Sequence, residues 1–147
     1  MSAHDFSTHS YRSLAEFRLE IRRFLHFSEE RAREHGLEPQ QHQLLLAIRG
    51  LPVGLKPTVG ELAGRMLIRH HSAVELIGRL AARGLVDRSP GQEDHREVIV
   101  TLTPAGEAVL RELTRAHRDE LETLGPRLAA SLRAATRRSA KTAVSRA

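Results

Sequence analysis

Residues 58–103 constrain this chain more than any other stretch, because two short helices joined by a turn run straight into a two-stranded ribbon. The spacing predicts a helix over about Arg69 to Arg83, with Ala73, Leu76, Ile77 and Leu80 at i, i+3, i+4 and i+7. That is one apolar stripe about a hundred degrees wide, enough to seat a helix on a core without burying it all round. The other side carries His71, Ser72, Glu75, Gly78, Arg79 and Ala82, a face of donors, acceptors and small residues. After Gly84 the period changes. Leu85-Val86-Asp87-Arg88 reads as strand, Ser89 to Asp94 as turn, and the run to Thr103 alternates. Val98, Val100 and Leu102 fall on one side of it, Glu97, Ile99 and Thr101 on the other. Helix, turn, helix and hairpin in this order make a winged helix, whose usual physical use is to lay the second helix in a DNA major groove.

The flanking sequence predicts a mainly α chain with this small β wing. A long helix is expected from about Tyr11 to Glu34, striped by Leu14, Phe17, Ile21, Phe24 and Leu25, after a frayed start up to Phe6. His35-Gly36 ends it, and Pro39 opens a second helix running to Gly50. Thr58 with Glu61 three residues on reads as a capping box for the third. Thr103-Pro104 starts a fifth helix along Leu110, Leu113, His117, Leu121 and Leu124. Gly125-Pro126 is expected to break it before a last helix from Arg127 with Leu128, Leu132 and Ala135. The reading is one domain, with a winged-helix core at 37–103 and a helical dimerisation region at 11–34 and 104–147. Amphipathic terminal helices cannot bury their stripes alone, so they predict a homodimer. A two-fold dimer sets its recognition helices about 34 Å apart, matching a palindromic operator.

Composition narrows the function classes. The net charge is +5, but residues 1–50 sum to zero, 51–103 to +1 and 104–147 to +4. The excess therefore sits in the tail, where Arg133, Arg137, Arg138, Lys141 and Arg146 read as a solvated helix end. All aromatic residues (Phe6, Tyr11, Phe17, Phe24, Phe27) lie in the first 27 positions. A single-strand or RNA binder needs stacking platforms, so duplex DNA is the expected partner. The absence of cysteine excludes disulfides, thiolate metal sites and cysteine redox sensing. No compact histidine spacing predicts a metal site, and no cofactor is expected. Neither a nucleophile elbow, a phosphate loop nor an HExxH motif occurs, so an enzyme is not the reading. No apolar run reaches the roughly 18 residues of a membrane span, and the first residues lack a signal-peptide layout, which together predict a cytoplasmic protein. The alternative is a winged helix that has lost DNA binding and titrates a protein partner, a reading favoured by the near-neutral core and by Glu75 on the exposed face.

Candidate DNA contacts follow from chemistry and position. Arg69 and His70 precede the recognition helix, where free N–H groups favour phosphate. His71, Ser72 and Arg79 can donate to phosphates or base edges; Arg79 suits guanine, Val74 a thymine methyl and Glu75 a cytosine amine. Arg96 at the wing tip suits a minor-groove or phosphate contact. Asp94 is expected to brace Arg96 or Arg88, since a carboxylate near phosphate is repelled. Arg88 divides between bracing and phosphate.

These residues resemble the MarR family of bacterial winged-helix regulators over roughly residues 11–146. The resemblance rests on Leu37-Glu38-Pro39-Gln40-Gln41, Glu61-Leu62-Ala63, Arg79-Leu80, Arg83-Gly84-Leu85-Val86, Arg88, Asp94-His95-Arg96 and Leu102-Thr103-Pro104-Ala105-Gly106, in order and at these spacings. It implies an obligate homodimer on palindromic DNA, usually repressing and relieved by a small ligand. It further implies an effector pocket beside the dimer region, drawn here from Phe24, Phe27, His42 and Leu45. An aromatic acid is the implied effector, its carboxylate met by Arg22 or His42. The chain departs from the family at Val74-Glu75, where Thr-Arg is common, at Gly78, and at His42, where an aromatic is usual.

Overall fold

The computed structural model describes residues 6–137; the residues before Phe6 that were expected to fray, and the tail cations Arg138, Lys141 and Arg146, lie outside them. The elements run α1 (Thr8–Glu34), α2 (Pro39–Arg49), α3 (Val59–Met66), α4 (His70–Ala82), β1 (Val86–Pro90), β2 (Val98–Leu102) and α5 (Pro104–Thr136). The strands pair antiparallel in the register Val86↔Leu102 to Pro90↔Val98. Thr58 adds an isolated bridge to Ile99, so a short piece of the α2–α3 loop lies alongside β2.

The chain divides into two compact units, each considered by itself. One is Glu29–Ala116; the other joins α1 up to Ser28 with α5 from His117 onward. The first unit owns the apolar core. Leu37, Leu44, Leu45, Leu62, Ile77, Leu80, Val86 and Val100 are sealed in it, and Ala32, Leu110 and Leu113 join from the long helices. Each large aliphatic side chain buried this way contributes roughly 1.5–3 kcal/mol. The recognition-helix stripe is the middle of that core, with Ala73, Leu76, Ile77 and Leu80 all buried.

Local chemistry fixes where these elements stop. α4 ends in a left-handed Gly84 (φ +70°), and the Leu85 N–H reaches back to the Leu80 carbonyl at 3.0 Å. The Thr103 hydroxyl donates to the Gly84 carbonyl at 2.6 Å and accepts from the Gly106 N–H at 3.1 Å, so one side chain caps α5 and holds it to the end of α4. A Cβ at Gly106 would run into the Leu85 carbonyl, which is why glycine stands there. Arg83, the last cap of α4, donates to Gln41 Oε1 at 3.1 Å, and the same oxygen accepts from the Glu38 N–H at 2.9 Å.

Three expectations are corrected. The Thr58 hydroxyl accepts from the Glu61 N–H at 3.2 Å, but the reciprocal half of the box is missing. Thr58 N–H already donates to the Lys56 carbonyl at 2.8 Å, and Glu61 turns to Arg65 at 3.6 Å instead. Ser89 and Pro90 are strand rather than turn, paired with Ile99 and Val98. A proline costs little at the end of a two-stranded ribbon, where its missing N–H has no ladder partner to lose. Finally, α5 runs through Gly125-Pro126 without a break. The residue before proline is disfavoured in a helix largely because its Cβ meets the ring, and Gly125 has none. Packing on both sides holds the axis: Leu124 is buried, and Arg127 Nη2 donates to Glu20 Oε1 at 3.1 Å.

The second unit is a pair of helical segments with a polar centre. Glu20 is buried, and its Oε1 accepts from Arg23 at 2.7 Å as well as from Arg127. Buried Oε2 has no hydrogen-bond partner among the described residues. His117 Nε2 lies 2.8 Å from the Ser28 hydroxyl, with the rings of Phe24 and Phe27 edge-on to its imidazole. The predicted α1 stripe is only half covered: Phe17, Ile21 and Phe24 are partly buried, while Leu14 and Leu25 remain 54% and 48% exposed. Among the described residues no helix is long and apolar enough to cross a membrane.

Candidate nucleic-acid interface

The first unit presents two features outward, one face of α4 and the tip of the β1–β2 wing. Because Ala73, Leu76, Ile77 and Leu80 turn inward, the 3.6-residue period turns His71, Val74, Glu75 and Arg79 to solvent, with Ser72 and Gly78 half-covered between them. Arg69 is the N-cap residue, extended at φ −72° and ψ 153°, and makes no side-chain cap bond. The first N–H groups of α4 are thus left without a side-chain acceptor, and they form the positive end of the helix dipole. Arg69, His70 and His71 are all exposed beside them. Immediately before, Leu67 caps α3 in the left-handed region (φ 55°) with its side chain almost wholly exposed. A leucine there costs conformational energy that a glycine or asparagine would avoid.

The wing tip is held by polar contacts. Asp94 Oδ1 accepts from the Arg96 backbone N–H at 3.0 Å and from Nε at 3.1 Å, and Oδ2 accepts from Nη2 at 3.3 Å. The carboxylate therefore orients the guanidinium from behind, leaving Arg96 with further donors and a side chain 92% exposed. Hydrogen bonds from the Arg96 side chain first, and then from its backbone, hold the Asp94 carboxyl below its ordinary value of 3.8. The turn closes through Gly91 N–H to Glu97 O at 2.9 Å and Glu97 N–H to Asp94 O at 3.1 Å. A Cβ at Gly91 would sit 2.5 Å from the Asp94 carbonyl oxygen, so only glycine permits this closure. Arg88 is exposed on β1 opposite Val100, and the bonds of Asp94 go to Arg96. Val98 stands exposed near the tip, while Ile99 is partly covered on the face where Thr58 bridges it.

The residues suggested as a pocket are divided between the units. Arg22 is exposed and Phe24 and Phe27 are half-buried in the helical unit, where both rings stand edge-on to His117. His42 and Leu45 belong to the winged-helix unit, 2% and 0% exposed. The sequence placed His117 on an apolar line without foreseeing its bond to Ser28. It gave no sign of Lys56, whose Nζ lies 3.6 Å from Glu93 Oε2.

Comparison with known proteins adds an independent line. Residues 35–97 match the model of the MarR family. The transcriptional activatory protein BadR of Rhodopseudomonas palustris is 34% identical over 92 residues, covering 62% of this chain and 53% of BadR. The chain spans about half the length of the curated relatives it matches. Among solved structures, AbsC, a MarR family transcriptional regulator from Streptomyces coelicolor, superposes with a TM-score of 0.70 at 17% identity, over 83% of this chain and 82% of AbsC. BpsR of Bordetella bronchiseptica, solved in connection with the regulation of its DNA binding by 6-hydroxynicotinic acid, gives 0.61 at 24% identity over 84% of each chain. Residues 35–97 thus carry the winged-helix segment of the MarR family, and the chain shares the fold of MarR-family structures.

Proposed function

We propose that this chain is a duplex-DNA-binding transcription regulator, with α4 in the major groove and the wing against the adjacent backbone or minor groove. The observation that carries this reading is the pairing, on one unit, of an uncapped α4 start and its solvent face (His71, Val74, Glu75, Arg79) with a braced, projecting Arg96. Arg69, His70 and Ser72 serve phosphates at the start of α4, Arg88 supports the wing, and Asp94 aims Arg96. The protein acts as a homodimer on a palindromic operator, joined through α1 and α5, whose Leu14, Leu25, Leu121 and Leu132 are left exposed by the single chain. Its place is the cytoplasm, it carries no catalytic activity, and it represses until a small ligand releases it. An aromatic acid is the effector class, supported by the 6-hydroxynicotinic acid named for BpsR. The candidates for its recognition are Arg22, Phe24 and Phe27 in the helical unit and His42 and Leu45 in the winged-helix unit.

The test is a titration of the full-length protein with the duplex flanking its own coding region and with a scrambled duplex, at several salt concentrations. Preference for the native duplex and a linear fall of log affinity with log salt are expected. Equal, salt-insensitive binding to both would sink the reading. Sedimentation at micromolar concentration should give a dimer; a stable monomer removes the palindrome argument.

A further inference from the structure

The wing carries three carboxylates, Glu93, Asp94 and Glu97, close to the point where this reading puts phosphates. Asp94 is matched by Arg96 within the hairpin. Glu93 and Glu97 are matched from outside it, by Lys56, whose Nζ stands 3.6 Å from Glu93 Oε2 and 4.0 Å from Glu97 Oε2. Lys56 belongs to the loop between α2 and α3, and that loop is fastened to the wing by backbone. The Val100 N–H donates to the Pro57 carbonyl at 2.9 Å, and Thr58 bridges Ile99. Between the lysine and the turn lies an open cleft of about 300 Å³, bordered by Ser89, Gly91 and Gln92. The ammonium therefore meets the two carboxylates at the edge of an open cleft, as a charge rather than as a packed side chain.

The electrostatic consequence is direct. Two unmatched carboxylates within a Debye length of DNA, about 10 Å at 0.1 M salt, oppose association with every sequence alike. We propose that Lys56 is a positioning residue of the DNA-binding surface: set between Glu93 and Glu97, it offsets their charge and steadies the wing that presents Arg96, without itself reading DNA. The proposal rests on the DNA-binding reading above.

The experiment compares full-length wild type, Lys56→Ala, Lys56→Arg, the double variant Glu93→Gln/Glu97→Gln, and the triple variant that adds Lys56→Ala to it. Lys56→Ala should weaken binding to operator and scrambled duplex roughly two- to fivefold at low salt, the scale of exposed ion pairs, with the deficit shrinking as salt rises. Lys56→Arg should keep most of the affinity. In the triple variant the affinity should return, because no carboxylate is left for the lysine to offset. A merely structural role would lower the thermal midpoint of Lys56→Ala and give no such rescue. A triple variant as weak as Lys56→Ala, with the salt slope reduced by about one unit, would make Lys56 a direct phosphate contact and overturn the proposal. Hydrogen exchange in the free protein supplies an arm that needs no DNA. The Gly91 and Glu97 amides, which close the turn, should exchange faster in Lys56→Ala than in the wild type. Unchanged exchange refutes the coupling of lysine to wing. Absence of binding by the wild type to any duplex refutes the DNA reading instead.

Discussion

The recognition helix and the wing are held in place by different physics. α4 is fixed by what it buries: four side chains sealed in the core set the direction of every residue on its solvent face. The wing beyond Pro90 buries little, and its tip keeps its shape through the Asp94–Arg96 bonds, the Gly91 closure and the Lys56 contacts. Apolar burial is not screened by salt, whereas exposed ion pairs are. The helix is thus suited to discrimination, which needs side chains in unvarying places, and the wing to an affinity that responds to its surroundings.

The largest effect should come from emptying the helix's seat. Leu80 is fully buried, and Leu80→Ala should cost about 2–5 kcal/mol of stability in chemical denaturation, with all DNA binding failing alongside. A loss below about 1 kcal/mol would mean that burial does not set the helix. Next comes Arg79→Ala, expected to cost about 1–3 kcal/mol on the true operator and little on random duplex. Arg96→Ala should weaken all duplexes similarly and lower the salt slope by about one unit. If Arg96→Ala abolishes discrimination while Arg79→Ala leaves it intact, the division between helix and wing is reversed. The smallest effect concerns pH. The folded Asp94 carboxyl titrates below its ordinary 3.8, so its bracing is present above that value and is lost only as pH falls through the lowered one. The Arg96 Nε–H resonance should accordingly keep its position down to about pH 4 and shift below it. A midpoint near neutrality would place control of the tip elsewhere.

The helix half of this comparison was legible in the sequence and the wing half only in part. A 3.6-residue stripe such as Ala73-Leu76-Ile77-Leu80 is a local pattern, and so is the Thr103-Pro104 start of α5. Asp94 and Arg96 are two residues apart, close enough for their chemistry to suggest a bond. What could not be read depends on neighbours distant in sequence. Arg83 meets Gln41 across 42 positions, and Arg127 meets Glu20 across 107. Gly125-Pro126 misled for the same reason. The local rule for proline is a cost, and packing at Leu124 and Arg127 outweighs it. That the terminal stripes would be left uncovered was expected, but periodicity could not say that Leu14 and Leu25 would be the open positions while Phe17, Ile21 and Phe24 are half-buried.

The Asp94–Arg96 brace has a consequence in time. It closes a loop of only a few atoms, whereas the Lys56 contact with Glu93 closes a loop of 37 residues and requires α3, α4 and β1 to be in place. Loop-closure entropy therefore makes the brace cheaper to form than the lysine contact, and the lysine docks after the tip has its bend. During folding the hairpin is shaped before it is moored, and its mooring can slip while the brace still holds.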